Sequence, residues 1–406
     1  MSGTLSRRLG LPASVAIGVS AMVGAGLFVV FGPAVEAAGD GVVLALLIAA
    51  VIAGCNAYSS ARLAREHPVA GGTYVYGREQ IGPFWGHLAG WAFVVGKISS
   101  CAVMALAVGT YAWPEHHRLV ALAVVVVVAA INLGGIEKSA AVGLVVVAVV
   151  LVVVVAVIAG LFATSSARTA TTVAPGQGVI EAAGLLFFAF AGYARLATLG
   201  EEVRDPERTI PRAIAISVAI VVTLYLAAAL ALLHVLGSAR LADSTRPFVT
   251  ALEAAGIDEL VPVIIGVAAL AAGGALLSLM LGVSRTVLAM ARDGHLPAPL
   301  AQIDVRRHVP QLAEITVAVV VGAIVLLGDL VTSVAFSSVC VLVYYAIANA
   351  SALTLDSWPL QRVTAWVGLG GCVLLAVFLP APAVVAGVAV LMIGAVSYRV
   401  RVGSWA

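Results

Sequence analysis

Apolar runs of about 20 residues, the length that crosses the hydrocarbon core of a membrane as a helix, recur along the whole chain. Hydrophobic residues make up 62% of the 406 residues and charged residues only 10%, whereas soluble domains are about 25% charged. The sequence therefore predicts an all-α polytopic membrane protein with about twelve spans. They lie near residues 13–37, 41–64, 84–112, 118–135, 139–163, 178–200, 210–237, 260–290, 312–328, 330–355, 361–378 and 380–398.

The distribution of Lys and Arg predicts how these spans are oriented, because cytoplasmic loops are enriched in both. If the N-terminus is cytoplasmic, 16 of the 22 Lys and Arg residues face the cytoplasm and four face the other side. The remaining two, Lys97 and Arg195, lie inside spans. An even number of spans then makes both termini cytoplasmic. We expect a plasma (inner) membrane protein without a cleaved signal, since the first apolar run is too long for one.

Composition argues against several other functions. The formal net charge is +2 and no acidic or basic tail is present, so a nucleic acid partner is not expected. No P-loop or Rossmann glycine pattern appears between a strand and a helix, so no nucleotide is expected either. The histidines lack a paired spacing with Cys or Glu, which argues against a metal or another cofactor. An enzyme is also disfavoured, because Ser20, Ser99 and Ser100 have no evident buried His or Asp partner.

Two spans carry glycines at mid-membrane depth, and the second follows five spans after the first. Span 1 contains Gly18, Gly24 and Gly26, and span 6 contains Gly192 within residues 188–193. Each glycine costs about 1 kcal/mol of helix stability relative to Ala; such residues also simply allow helices to approach closely. If the helices unwind, the freed N–H groups attract a carboxylate and the freed carbonyls an ammonium. Such a pair of interrupted spans indicates an inverted-repeat transporter.

Four parts of the chain carry patterns that point to one family. Residues 22–28 contain Gly-x-Gly-Leu-Phe, and residues 68–76 contain Gly-Gly-x-Tyr after the second span. Residues 187–192 lead into the charged loop 201–214, and residues 284–297 end the eighth span. With this order and spacing, the chain resembles the amino acid–polyamine–organocation superfamily of secondary transporters, with Leu where the family has Ile in the first pattern.

The resemblance implies the architecture of the chain. It implies a transport core, residues 1–355, built from two inverted repeats of five helices at about 13–163 and 178–355. Helices 1 and 6 of this core would be broken. Residues 356–406 would add two accessory helices and a short cytoplasmic tail. The family moves amino acids by alternating access to the two sides of the membrane.

The resemblance also implies a binding site by position. The substrate carboxylate would meet the N–H groups around Gly24–Gly26, the ammonium would meet freed carbonyls, and Phe188 would close over the substrate from outside. The residues implied for these contacts are Met22, Gly24, Ala25, Gly26, Phe188, Ala189 and Ala191. Weaker candidates for the side-chain pocket are Ile98 and Cys101 on span 3 and Leu279 on span 8. None of these side chains is a carboxylate, so the pocket suits a neutral, apolar amino acid.

Lys97 lies near the middle of span 3, where a charge costs about 2.5–3.5 kcal/mol on insertion scales and is functional by default. One interpretation is a structural cation satisfied by carbonyls or a buried carboxylate. The other is a charge that replaces a sodium ion or carries a proton. Several sodium-independent relatives carry a lysine on helix 5, where this chain has Val150. Our hypothesis is that Lys97 supplies that cation from another helix.

Three further charged residues are candidates for coupling or gating. Arg195 follows the break in span 6 and either pairs with a buried carboxylate or supports an intracellular gate. Glu181 and Glu202 lie at the two ends of that span and are candidate proton carriers. Glu202 is also a candidate anchor for the following loop through its arginines.

The sequence thus favours a secondary transporter of small neutral amino acids, either proton-coupled or an exchanger. Its partners would be the amino acid, protons and the lipid bilayer. The alternatives are a transporter of amines or of acidic amino acids, the latter favoured by Lys97, and a non-transporting sensor with the same fold. Sodium coupling also stays open, since Ser20, Ser278 and Ser284 can supply oxygen ligands.

Overall fold

The computed structural model of the chain describes residues 9–67, 71–135, 140–164, 178–193, 196, 203–304, 309–356 and 358–403. Within these ranges the secondary structure is helical, and the β-type contact is one isolated bridge between Leu9 and Val203. The helices are α1 (Leu11–Met22), α2 (Ala25–Val29), α3 (Phe31–Ala38), α4 (Val42–Glu66), α5 (Thr73–Ile81), α6 (Pro83–Ala112), α7 (His117–Leu133), α8 (Ala140–Ala163), α9 (Val179–Phe190), α10 (Pro206–Ala242), α11 (Pro247–Ala254), α12 (Val261–Arg292), α13 (Gln311–Leu327), α14 (Leu330–Leu353), α15 (Pro359–Phe378) and α16 (Ala381–Gly403).

Ten helical segments of the described chain are long and apolar enough to cross a membrane, and the first of them, Leu11–Val29, joins α1 and α2 across a break. Two shorter apolar helices accompany them, Val179–Tyr193 and Gln311–Leu327. Each of the twelve predicted spans coincides with one helix, except that the first corresponds to α1, α2 and α3 in succession. The prediction of an all-α polytopic membrane protein is therefore confirmed. The last part of the predicted span 178–200 lies outside the described residues.

Several helices begin at a proline, whose fixed φ and missing N–H suit the first helical position. Pro83 begins α6, Pro206 begins α10 and Pro359 begins α15. At α5 the start depends instead on Gly72, whose φ of 58° is open to glycine but strained for other residues. The N–H of Thr73 that follows donates to the hydroxyl of Tyr344 on α14, at 3.1 Å.

The long helix α10 bends before its end. Gly237 has φ 67° and ψ 171°, which is not a helical conformation, although the residues on both sides are helical. The straight part of α10 therefore ends near residue 236, in agreement with the predicted span at 210–237. A short extension then leads to α11.

Helix α6 is the centre of the bundle. It packs against α5, α7, α12 and α14, and 89% of its most apolar stretch is buried. By contrast, α16 is only 17% buried over its corresponding stretch and presents a largely apolar outer surface. Such a surface suits contact with lipid tails. The central position of α6 places Lys97 inside the protein rather than against lipid.

Candidate functional site

The first predicted break is present. Helix α1 ends at Met22, and the backbone leaves the helical conformation at Gly24 (φ −71°, ψ −132°) before α2 begins at Ala25. All of residues 22–26 are buried. Because the first N–H groups of a helix have no partner within it, the start of α2 leaves N–H groups available inside the protein.

The second break follows Phe190, where α9 passes into a 3₁₀ turn at Ala191–Tyr193. The N–H of Ala191 donates to the carbonyl of Phe188. The residues after this turn are mostly outside the described chain. The structure therefore shows the first part of this predicted span up to the break. The carbonyls of Ala189 and Ala191 lie at this end of α9, where side chains of other helices donate to them.

The two breaks touch each other, and glycines make this approach possible. A Cβ atom on Gly26 would lie 2.7 Å from the Cα of Ala189. A Cβ on Gly192 would lie 2.6 Å from the backbone nitrogen of Met22. The glycine pattern therefore marks close helix contact as well as unwinding, and both interpretations of these glycines apply.

Tyr225 of α10 joins the two breaks through its hydroxyl. This group lies 2.7 Å from the carbonyl oxygen of Met22 and 3.2 Å from that of Ala189, and it is fully inside the bundle, with 1% of the residue exposed. Both carbonyls were predicted to meet a substrate ammonium. In this structure a hydroxyl of the chain itself contacts them.

Lys97 reaches the second break. Its Nζ donates to the carbonyl of Ala191 at 3.0 Å, and the hydroxyl of Tyr345 on α14 donates to the same carbonyl at 3.2 Å. This carbonyl was also predicted to bind the ammonium of the substrate. The contact fits the interpretation of Lys97 as a cation held by helix carbonyls, and it brings a positive charge to the site.

The candidate pocket residues lie on the two helices that face the first break. A Cβ on Gly24 would lie 2.7 Å from the Cβ of Ala275 on α12 and 3.7 Å from Cε of Met104 on α6. Leu279 follows Ala275 by one turn, and Cys101 precedes Met104 by about one turn. Ile98 and Cys101 are buried, and Leu279 is half-buried. These positions stay predicted pocket residues.

A small cavity, partly open to solvent, lies beside the first break, between α1, α8 and α12. Its lining is apolar apart from one hydroxyl. The lining residues are Ser20, Val23, Val146, Val147, Val150, Leu151, Leu270, Ala271 and Gly274. Val150, at the position where some relatives carry a lysine, thus faces a space near the break, and Ser20 supplies its hydroxyl.

Two predicted coupling residues, Arg195 and Glu202, lie outside the described residues. Glu181 is described and is half-buried in the first turn of α9. Among the described residues, no group of three His, Cys, Asp or Glu side chains is arranged to hold a metal ion.

Sequence reasoning missed Tyr225 and Tyr345, which contact carbonyls at the two breaks, and Glu314, a buried carboxylate on α13. Tyr225 is 203 residues from Met22, and Tyr345 is 154 residues from Ala191, so no local pattern could link them. Glu314 carried a signal, because it lies three residues inside an apolar run.

A polar cluster joins α5 to the end of α12. The hydroxyl of Tyr74 donates to the carboxylate of Asp293 and lies 3.0 Å from Nδ1 of His295. Arg78 pairs with Asp293 at 3.2 Å. Burial and the charge of Arg78 lower the pKa of His295, although Asp293 opposes them. The predicted Gly-Gly-x-Tyr loop thus contributes its tyrosine to a contact with the end of the eighth span.

Two interrupted helices that meet inside an all-α membrane bundle define the class of membrane transporters with discontinuous helices. A sequence model of the family described as amino acid permease matches residues 9–400. The chain therefore belongs to the amino acid permease family, which confirms its resemblance to the amino acid–polyamine–organocation superfamily.

Individual relatives agree with this assignment. An uncharacterized transporter of Mycobacterium tuberculosis is 54% identical over 403 residues, which cover 98% of this chain and 92% of that protein. The branched-chain amino acid permease BcaP of Bacillus subtilis is 26% identical, over 85% of this chain and 80% of its own. The vacuolar cationic amino acid transporter 2 of Arabidopsis thaliana is 27% identical, over 87% of this chain and 60% of its own.

Proposed function

We propose that this permease is a secondary active transporter of small neutral, apolar amino acids in the plasma membrane. It works by alternating access in a core of two five-helix inverted repeats, about residues 13–163 and 178–355, with both termini in the cytoplasm. The chain is coupled to protons or works as an exchanger. A transporter driven by solute gradients in this way carries out no covalent chemistry on its substrate.

The observation that carries this proposal is the direct contact between the breaks after Met22 and after Phe190. It places the N–H groups that begin α2 close to the carbonyls that end α9. N–H groups favour an anion and carbonyls favour a cation. An amino acid carries both charges one carbon apart, so this pair of helix ends matches its backbone without any charged side chain.

The side-chain preference follows from the pocket candidates. Ile98, Cys101, Phe188 and Leu279 offer apolar surface and a thiol. A branched-chain amino acid fits such a surface, and the Bacillus subtilis relative is named as a branched-chain amino acid permease. A cationic amino acid is the second candidate, because other relatives are named for cationic substrates and Glu314 is a buried carboxylate.

We assign Lys97 to coupling. Its ammonium is next to a carbonyl at the second break, where sodium-dependent transport would need a bound cation. Movement of that break between the two states of the cycle would change the environment of the ammonium. A lysine that stays charged throughout would instead be a fixed replacement for sodium and would give exchange without a proton.

The test is a transport assay in liposomes with purified protein. Labelled leucine, alanine, arginine, glutamate and putrescine are compared in counterflow and with an imposed pH gradient, for the wild type and for Lys97→Ala. We expect counterflow of leucine, and uptake driven by the pH gradient that Lys97→Ala loses. Saturable binding without movement of any ligand would favour a sensor, and preferential arginine movement would favour the cationic candidate.

A further inference from the structure

Among Asp, Glu, Lys and Arg in the described chain, two side chains are buried: Lys97, with 5% of the residue exposed, and Glu314, with 2%. They have opposite charges and lie on helices α6 and α13, which pack against each other. An ionisable residue inside a membrane protein is costly and generally functional. The role of Lys97 is part of the proposed function, whereas Glu314 has so far supported only the second candidate substrate.

Glu314 is held in place by a neutral partner. The Nδ2 of Asn132, in the last turn of α7, donates to Oε1 of Glu314 at 2.7 Å. The same Nδ2 lies 3.5 Å from the carbonyl oxygen of Leu277, near the middle of α12. No Lys or Arg of the described residues forms an ion pair with Glu314. An amide that holds a carboxyl group by one oxygen positions it in either protonation state.

The two buried charges lie on helices that are in direct contact, α6 and α13. Lys97 is near the middle of α6, and Cys101, a candidate for the substrate pocket, follows it by one turn. The carboxyl group therefore lies on a helix that packs against the one whose lysine contacts the second break.

The other helices packed on α13 bring no further buried charge towards Glu314 from the described chain. On α7, His117 and Arg118 are at the opposite end, where Arg118 donates to the carbonyl of Leu326. On α12, Arg285 and Arg292 are exposed and nearer its C-terminal end. The 3₁₀ turn Ala298–Ala301 has no titratable side chain, and residues 305–308 are not described.

We propose that Glu314 is the group that binds and releases the transported proton, and that Lys97 is its buried counter-charge. This proposal rests on the proposed function. Glu314 takes up a proton from water on the side where the gradient supplies it, and the same proton leaves to water on the other side. No other bond is formed or broken.

The combination of Glu314 with the Lys97 counter-charge explains how the buried carboxylate is tolerated after proton release. A lone buried negative charge is expensive, and a nearby positive charge offsets part of this cost. The position of Glu314 in the first turn of α13 also helps, because a helix N-terminus favours negative charge. A shift of Lys97 relative to the second break would change that compensation, so proton release would follow the conformational cycle.

The experiment compares wild type, Glu314→Gln and Glu259→Gln in liposomes, with leucine counterflow and pH-gradient-driven leucine uptake measured on each. Gln keeps an oxygen that accepts from Asn132, so folding should be preserved; Glu259 is an exposed glutamate and serves as the control. We expect Glu314→Gln to lose gradient-driven uptake by about tenfold or more, within the usual range of coupling between sites, and to retain counterflow. Glu259→Gln should match the wild type in both assays.

Three results would overturn the proposal. Glu314→Gln could follow the pH gradient as the wild type does, or the folded variant could lose counterflow as well, which would make Glu314 structural or substrate-binding. The wild type could also perform counterflow without any response to the pH gradient. That result would leave the proposed amino acid transport intact and would reject only the proton coupling assigned to Glu314. A wild type that moves no tested ligand in either assay would instead reject the proposed function, and this proposal with it.

Discussion

At the scale of single residues, the glycines at the breaks have little room for a larger side chain. Gly26 lies against the backbone of Ala189, so a methyl group there cannot be accommodated by rotating a side chain. We expect Gly26→Ala to destabilise the protein by about 1–3 kcal/mol, the usual cost of overpacking, and to impair transport. Thermal unfolding in detergent measures the first effect and liposome uptake the second.

Gly54 of α4 provides the matched control, since a Cβ there would meet nothing within 4 Å. Gly54→Ala should leave transport unchanged and stabilise the protein by about 0.5–1 kcal/mol, because Gly weakens a helix interior. Equal behaviour of the two variants would contradict the close approach at Gly26.

Tyr225 offers a second test at this scale. Tyr225→Phe removes the hydroxyl that contacts the carbonyls of Met22 and Ala189, while the ring stays. We expect a loss of about 0.5–1.5 kcal/mol in unfolding free energy, measured by thermal unfolding. Tyr398→Phe is the control, since the structure gives its hydroxyl no hydrogen bond. An unchanged Tyr225→Phe protein would show that the bridge adds nothing to stability.

These residues also show where sequence reasoning stops. Gly24 and Gly26 could be identified because three glycines in one apolar run oppose a regular helix by themselves. Tyr225 could not, because a buried tyrosine in an apolar span looks the same whether its hydroxyl meets a helix carbonyl or water. Only the packing of α10 against both breaks determines which partner the Tyr225 hydroxyl has.

At the scale of helices, the start of α14 depends on one carboxylate. Asp329 accepts a hydrogen bond from the N–H of Thr332 at 2.9 Å. Burial by itself would raise the pKa of Asp329, but the hydrogen bonds from Thr332 and Val331 outweigh it and lower the pKa. The stability it contributes is therefore present at neutral pH and is lost as the pH falls through its folded-state pKa.

We expect Asp329→Ala to cost about 1 kcal/mol, the usual value of an N-cap, and Asp329→Asn to cost much less because the amide oxygen still accepts. Thermal unfolding at neutral pH distinguishes the two. An Asn variant as unstable as the Ala variant would indicate that the charge, rather than the cap, is what matters.

The helices themselves were predictable from apolar length, because the bilayer fixes the length that a span needs. The bend at Gly237 was visible only as the end of an apolar run. The bend is caused by the non-helical backbone conformation of Gly237, which the length of an apolar run does not reveal. The span count followed from the same runs, with the two shorter helices α9 and α13 as its least typical members.

At the scale of the whole molecule, the cluster of Tyr74, Asp293 and His295 ties α5 to the end of α12. Because the pKa of His295 is lowered, the unfolded chain binds more protons than the folded one as the pH falls below about 6.5, the ordinary value for histidine. The stability of this contact should therefore decrease on acidification. We expect a larger drop in unfolding temperature between pH 7.5 and 5.5 for the wild type than for His295→Gln. The same drop in both proteins would exclude His295 as its source.

The hydrogen bonds at Ala191 have a further consequence for how the transporter handles its cargo. A carbonyl oxygen offers two lone pairs, and both Lys97 and Tyr345 already donate to this one. An arriving ammonium can use that oxygen only by exchange with one of these internal donors. At the proposed site the chain thus contains its own competitor for the substrate, and the affinity expected for a substrate is the difference between two interactions of similar kind. Weak apparent binding would then accompany fast release, which is what a carrier requires.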